Sequence, residues 1–551
     1  MTQAGTFSEF VRTADDIRAL RGKLEKVRRL AGFLRALPEE DLPLAVAFFS
    51  GFSHPAGRPL AVGFAAIAAA APAGFHEKFL ELSDVGDALG SVHADPTASG
   101  SGWSLAELER RLDALADLPS GQAKGDALAA LFAPVSAGEL RYLGKAMTGE
   151  LRIGLAEGLV QEAIAQAFEQ TPAAIRRAHQ LAGSLPRVAV AARRGALAGL
   201  AVELFTPLKP MLATPEATAE DIGARLGDDL WVEDKYDGIR AQAHRSDERA
   251  VLYSRTGNDV SGQFPEVAQA LARLPGTLIL DGELLVHHHP AAGAAARPFF
   301  ELQKRLGRKA PSAKIIAAHP VALFAFDLLF QDGQPLIDLP FRERRARLEA
   351  LPAVDGFVVT PLTRVPVADL DAEFARSRAR ANEGLMVKDP ASPYVPGRRG
   401  MSWLKYKKAL EPLDVVVTGV ERGFGKRRAV LSDYTFAVRD TATGKLVNIG
   451  KAYTGLTDAE IAEMTAWFEA HTVSAHGRFL AVEPTTVIEV AFEAIQESPR
   501  HASGFALRFP RIVRLRPDKS PDEIATLEDV RRAFAKYRST YDGPPATIRE
   551  A

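Results

Sequence analysis

The 551-residue chain contains no cysteine. Disulfides and cysteine-ligated zinc sites are thereby excluded, and the composition accords with a reducing cytoplasm. It also lacks a charge imbalance, since 68 Lys and Arg stand against 69 Asp and Glu for a formal net charge of −1. That balance does not decide for or against a nucleic-acid partner, because only a contacting face has to attract phosphates. No stretch reaches about 18 uninterrupted apolar residues, so no membrane span is expected. The Ala-rich segment from Leu60 to Phe75 is interrupted by Gly and Pro and is expected to be a buried helix. A secretory pattern at the N-terminus and solenoid-type repeats are also lacking.

What is present falls into three stretches. At roughly 100–200 residues per domain, the length suggests about three to five domains. Residues 1–205 read as helical. Ser104 with Glu107 and Ser136 with Glu139 have the spacing of capping boxes, and Leu108, Leu112 and Leu115 follow at helical intervals. Leu159, Ala163, Ile164, Ala167 and Phe168 form a further apolar face. From 206 to 410 short apolar strands dominate, among them Leu230–Val232, Leu278–Leu280 and Val321–Phe326. From 411 to 551 a smaller β-rich unit is expected, with strands at Val415–Val417, Tyr434–Val438 and Val487–Phe492. The run His287–His289, leading into an Ala/Gly/Pro-rich stretch, reads as an exposed loop.

One segment points to chemistry. Glu233-Asp234-Lys235-Tyr236-Asp237-Gly238-Ile239-Arg240 places a lysine at the end of an apolar strand, where its side chain can enter a cleft. A lysine is a nucleophile only when neutral, and its ordinary pKa of about 10.4 must be depressed by desolvation or neighbouring cations. Alone, a Lys-x-Asp-Gly pattern is more readily a surface lysine beside a turn. Five further segments follow in order: Tyr253–Asn258, Leu280–Glu283, Phe324–Leu329, Glu383–Lys388 and Ser402–Lys408, with a last one at Leu507–Lys519. Together they resemble the motif series of the covalent nucleotidyltransferase superfamily, specifically its polynucleotide ligases.

The resemblance implies a set of roles. Lys235 would attack the α-phosphate of ATP and form a lysine–AMP adduct, from which AMP passes to a DNA 5′-phosphate and is displaced by the neighbouring 3′-hydroxyl. Glu233 would accept from the exocyclic amine of adenine, and Phe326 would stack on the ring; Phe324, two residues away, is expected in the core. Arg240 and Arg255 would hold ribose or phosphate oxygens. Glu283 and Glu383 would hold Mg²⁺ (Mn²⁺ is the alternative), act through a water, or bind the ribose. Lys405 and Lys407 alternate along a strand and so share one face; both would face the α-phosphate and depress Lys235. Arg399 would contact phosphate, with Arg398 as its adjacent competitor. Arg514, Arg516, Asp518 and Lys519 would swing over the nucleotide about a hinge near Lys408 to Pro412. Arg508 and Arg511 would contact DNA or pair with acids.

The lysine motif is shared with capping enzymes and RNA ligases. Gly149–Gly158 and Pro207–Ala213 carry the choice between them, because they resemble the helical DNA-binding domain of cellular DNA ligases and its join to the catalytic core. NAD-dependent ligases use a cysteine-ligated zinc finger that this chain cannot build. The implied architecture is an all-α DNA-binding domain (1–205), an α+β adenylation domain (206–410) and an OB-type barrel (411–551) around nicked duplex DNA. Lys426, Arg427 and Arg428 form a basic loop that would touch the DNA backbone or solvent. A monomer acting in the cytoplasm, on the nucleoid, completes the expectation.

Overall fold

The computed structural model describes residues 5–55, 60–93, 100–119, 121–149, 151–247, 249–287, 297, 299–380, 382–407, 412–423, 427 and 429–539. From Phe7 to Arg193 the described residues are helical and share one apolar core. Local signals set the helix starts. Ser104 accepts from the backbone N–H of Glu107, and Ser136 and Glu139 form a reciprocal capping box. Leu108, Leu112 and Leu115 are buried, as are Ala163, Ile164 and Ala167. The Ala-rich segment departs from expectation. It holds one short helix, Phe64–Ala70, in which only Ile67 is buried, and it ends where the next helix, Phe75–Leu82, begins. Pro72 and Gly74 break the run, and alanine side chains offer too little apolar area to draw it inside.

The middle region, β1(Leu212–Glu216) to β11(Arg399–Tyr406), holds two sheets. One has the order β1-β11-β10-β2-β9, with β2(Leu230–Lys235), β9(Leu362–Val365) and β10(Gly384–Lys388). The other runs β4-β3-β5-β6-β7, with β8(Phe357–Val359) beside β6. Its strands are β3(Ile239–Ser246), β4(Arg249–Ser254), β5(Leu278–Val286), β6(Val321–Gln331) and β7(Gln334–Pro335). Along β5 and the body of β6 nearly every position is buried on both faces. The breaks in that pattern fall at Glu283 and Phe326. A half-open position inside such a strand marks an opening between layers. His287 follows β5 and is buried, with its ring 5.5 Å from that of Phe324 at 81°. The first histidine of the run is therefore buried where an exposed position was expected; His288 and His289 lie outside the described residues.

The C-terminal region is all-β in its core and carries helices Asp458–Ala470 and Leu527–Ser539. Strands β12(Leu413–Arg422), β13(Leu431–Arg439) and β14(Leu446–Ala452) form a meander. β12 also pairs with the strands Phe479–Val482 and Val487–Ala491, which brings the chain back around one apolar core. No helix among the described residues is long and apolar enough to cross a membrane.

Candidate active site

Glu233 and Lys235 lie on one face of β2 because they are two residues apart. The strand carries them between β9 and β10. Their surroundings differ sharply. Glu233 is 3% exposed, and its carboxylate accepts from Arg345 Nη1 at 2.6 Å and the Thr360 hydroxyl at 3.0 Å, and pairs with Lys388 Nζ at 2.5 Å. Lys388 in turn lies over the rings of Trp403, Phe326 and Phe341, at 4.4, 4.7 and 4.7 Å from their centroids. Burial holds the Lys388 ammonium below its ordinary pKa despite Glu233.

Lys235 pairs with Glu383, whose backbone N–H donates to the carbonyl of Lys235 at 2.8 Å. Lys407 Nζ lies 3.6 Å from the same Glu383 carboxylate and 2.7 Å from Glu493. Burial pulls the Lys235 ammonium down, but Glu383, Glu283 and Asp237 outweigh it and hold the group above its ordinary value. The expected depression of Lys235 thus falls elsewhere. Of the lysines around Lys235, Lys405 is held low, by burial and by the charges of Lys407, Lys235 and Arg399. The difference lies in the neighbours: Lys235 is hydrogen-bonded to Glu383 and feels Glu283 and Asp237, whereas Lys405 has three cations beside it against the single carboxylate of Glu493. Burial pushes the Glu283 carboxyl up to about 8 against the pull of Lys235 and Arg240. Asp237 pairs with Arg508 of the C-terminal region at 2.5 Å.

Arg240 packs over Phe326, its guanidinium carbon 5.4 Å from the ring centroid. Its fork is engaged by Asp281, with Nε to Oδ1 at 3.1 Å and Nη2 to Oδ2 at 2.7 Å. Phe326 is half-buried, whereas Phe324 is fully buried against Tyr236. Lys235, Glu233, Glu283, Glu383, Arg240, Phe326, Lys405 and Lys407 are therefore joined by contact or mutual charge. Arg399 joins them only through its field on Lys405, being exposed at the start of β11, and Arg398 is exposed beside it. Arg255 is exposed in the turn after β4, with no hydrogen bond or ion pair among the described residues.

The last motif is occupied within its own domain. Arg514 pairs with Glu489 at 2.8 Å, Arg516 with Asp414 and Asp518 at 2.8 and 2.7 Å, and Lys519 with Asp414 at 2.6 Å. Arg508 is the residue of that segment that reaches the cleft. Arg427 pairs with Asp458, while Lys426, Arg428 and residues 408–411 of the expected hinge lie outside the described residues. The sequence did not single out Arg345, Lys388, Asp281 or Tyr394, and it offered Asp237 only as the acid of the Lys-x-Asp-Gly pattern. Asp281 and Lys388 stand inside quoted motifs, but Arg345, 112 positions from Glu233, carries no local signal.

Glu283 and Glu383 supply hard oxygen donors with like charges close enough to perturb each other. Mg²⁺ takes one or two carboxylates and completes its shell with water and phosphate, so this donor set fits it. The described residues hold one ready cluster of three His, Asp or Glu donors, His54, Glu109 and Asp113, and it lies in the helical region.

Three family models match successive stretches of the chain. The DNA ligase N terminus matches residues 6–165, the ATP dependent DNA ligase domain 210–407 and the ATP dependent DNA ligase C terminal region 427–519. A probable DNA ligase of Koribacter versatilis is 44% identical over 96% of each chain. One from Opitutus terrae is 41% identical over 96% of this chain, which spans 62% of that longer protein. The DNA ligase of Archaeoglobus fulgidus is 35% identical over 96% of this chain and 98% of its own. Among solved structures, "Pmar-Lig_PreS3" superposes with a TM-score of 0.59 over 92% of this chain and 99% of its own, at 16% identity, a likeness of fold alone. By these family models and relatives, the chain belongs to the ATP-dependent DNA ligase family.

Proposed function

We propose that this chain seals 5′-phosphate/3′-hydroxyl nicks in duplex DNA by way of an adenylate on Lys235. The observation that carries the reading is the convergence on Lys235 of Glu383, Glu283, Lys405 and Lys407 between two sheets. In the first step the neutral Lys235 amine attacks the α-phosphorus of ATP, a P–N bond forms, and the bond to the pyrophosphate oxygen breaks. In the second, an oxygen of the DNA 5′-phosphate attacks that phosphorus and Lys235 leaves with a proton. In the third, the 3′-hydroxyl attacks the 5′-phosphorus and AMP departs.

The side chains divide this work. Lys405 and Lys407 offset the charge that builds on non-bridging oxygens. Glu383, hydrogen-bonded to Lys235, is placed to orient the amine and to exchange its proton. Phe326 and Glu233 form the wall for adenine, with Arg240 at the sugar-phosphate. Arg399 and Arg255 are held to phosphate contact in this reading, although both are exposed in the arrangement described. Glu283 and Glu383 would hold Mg²⁺, or Mn²⁺ in its place. The ion, when bound, neutralises phosphate charge. The helical region 1–205 grips the duplex through its phosphates, the region 206–410 carries the chemistry, and 411–551 closes on it.

The test is nick sealing on a 5′-phosphorylated duplex with ATP and NAD⁺ supplied separately. Sealing is expected with ATP alone. Sealing with NAD⁺ alone contradicts the cofactor, and an ATP-derived adduct without sealing moves the substrate to RNA ends.

A further inference from the structure

Arg240 is held by a hydrogen-bond ring whose members come from distant parts of the chain. A guanidinium has five N–H donors. Nε and Nη2 donate to Asp281, Nη2 donates also to the Tyr394 hydroxyl at 3.4 Å, and Nη1 donates to the Met211 carbonyl at 2.6 Å. One N–H, on Nη1, is left for a ligand. Tyr394 is 1% exposed and its hydroxyl is fully used. It donates to Asp281 Oδ2 at 2.6 Å and accepts from the Met211 backbone N–H at 2.9 Å as well as from Arg240. The ring of Tyr394 is wedged edge-on against Trp403, 5.7 Å away at 82°.

Met211 belongs to the segment that leaves the helical region. That segment is pinned further back by Gln242, which accepts from Leu208 N–H at 2.8 Å, and by His244 Nδ1, which accepts from Phe205 N–H at 2.9 Å. Both peptide groups of Met211 are spent on the ring around Arg240.

We propose that Tyr394 is a positioning residue for ATP capture: its hydroxyl locks Arg240 and the interdomain segment at Met211 onto Asp281, so that the guanidinium meets the nucleotide already oriented. This rests on the reading that Arg240 contacts ATP. A long cation loses rotamer freedom when it binds, and fixing it beforehand removes that cost from the binding step. The arrangement makes the connecting segment a structural part of the nucleotide site, and it does so with backbone atoms that no side-chain motif reveals.

The test is Tyr394→Phe in the full-length protein, which keeps the ring and deletes one oxygen. Lys–AMP formation is measured across ATP concentration, with KM for nicked DNA as the internal control. The expected result is a KM for ATP raised about tenfold, equivalent to about 1.4 kcal/mol. Turnover at saturating ATP should stay within about twofold, and KM for DNA should not change. A merely structural tyrosine predicts the opposite pattern, with turnover and both KM values worsening together and Tm falling. An unchanged KM for ATP, or that joint loss, overturns the proposal. Should Tyr394→Phe prove too unstable to assay, Asp281→Asn, which keeps the shape of the acid, must raise the KM for ATP in the same selective way or the proposal fails. A wild-type protein that forms no adduct with ATP removes the parent reading instead, and that outcome is told apart by the unmutated control.

Discussion

Glu233 and Lys235 share one face of one strand, yet their neighbourhoods are opposites. Around Glu233 one carboxylate meets two cations and a hydroxyl in a buried, satisfied network. Around Lys235 one ammonium meets Glu383, Glu283 and Asp237, and one of those acids, Glu283, is pushed up to about 8 by its burial. A buried charge with every partner in place behaves as scaffold. A cluster in which burial and crowding displace a carboxyl that far is unlike a satisfied scaffold, and such perturbed groups gather where chemistry is done. The comparison says that the adenine end of the cleft is rigid before ATP arrives, while the phosphate end is completed by what binds.

That contrast can be broken from either side. The largest effect is expected at the acid-rich end. Glu383→Gln should slow adenylation by about 100-fold or more, the scale seen when a charge-stabilising group is lost, with little change in Tm. Single-turnover formation of labelled adduct checks this, and a near-normal rate would mean that Glu383 is only a salt-bridge partner. At the other end Lys388→Met should cost about 3 kcal/mol of stability, because it leaves part of a buried carboxylate uncompensated. Urea unfolding of the single variant, of Glu233→Gln and of the pair gives the coupling directly. Additive losses would show that the two residues do not form the unit described.

A smaller effect is expected from acidification. His244 is fully buried, accepts from Phe205 N–H through Nδ1, and lies 2.8 Å from Gln242 Oε1 through Nε2. Burial pushes its imidazole down to about 3. The unfolded chain titrates near 6.5, so below that pH it binds a proton that the folded form refuses. Stability on this account is whole above pH 6.5 and falls as pH drops toward 3, by about 2 kcal/mol at pH 5. Chemical denaturation of wild type and His244→Gln at pH 7 and pH 5 tests it, the variant being less stable overall but flatter with pH. An equal slope in both proteins removes His244 from the explanation. The smallest change is expected at Arg514, an exposed partner of Glu489. Arg514→Ala should shift stability by less than about 1 kcal/mol while still slowing adduct formation, if that motif swings over the nucleotide as proposed. No change in adduct formation would confine Arg514 to its surface ion pair.

The sequence exposes the parts of this picture that are local. Lys235 and Arg240 stand in one short motif, the strands around them carry short apolar stretches such as Leu278–Leu280 and Val321–Phe326, and the helix starts at Ser104 and Ser136 carry their own caps. What cannot be read there is non-local. Arg345 reaches Glu233 across 112 positions and Arg508 reaches Asp237 across 271. Nothing in the spacing of Tyr394 announces that its hydroxyl closes a ring with Met211. The electrostatics of Lys235 escape the sequence for the same reason: Lys405 and Lys407 are visible as an alternating pair, but Glu383, which pairs with Lys235 and holds its ammonium up, reaches it across 148 positions. Even a local feature can mislead, as at Leu60–Phe75, where apolar composition is no substitute for the side-chain area that burial requires.

The central claim is that Lys235 is the residue that carries AMP. The direct measurement is to incubate the protein with ATP and a divalent cation, digest it, and locate the AMP adduct by peptide mass, in parallel with Lys235→Ala. The account predicts one adduct, on the peptide bearing Lys235, absent from the variant. An adduct on Lys405 or Lys407, or one that persists in Lys235→Ala, would contradict it.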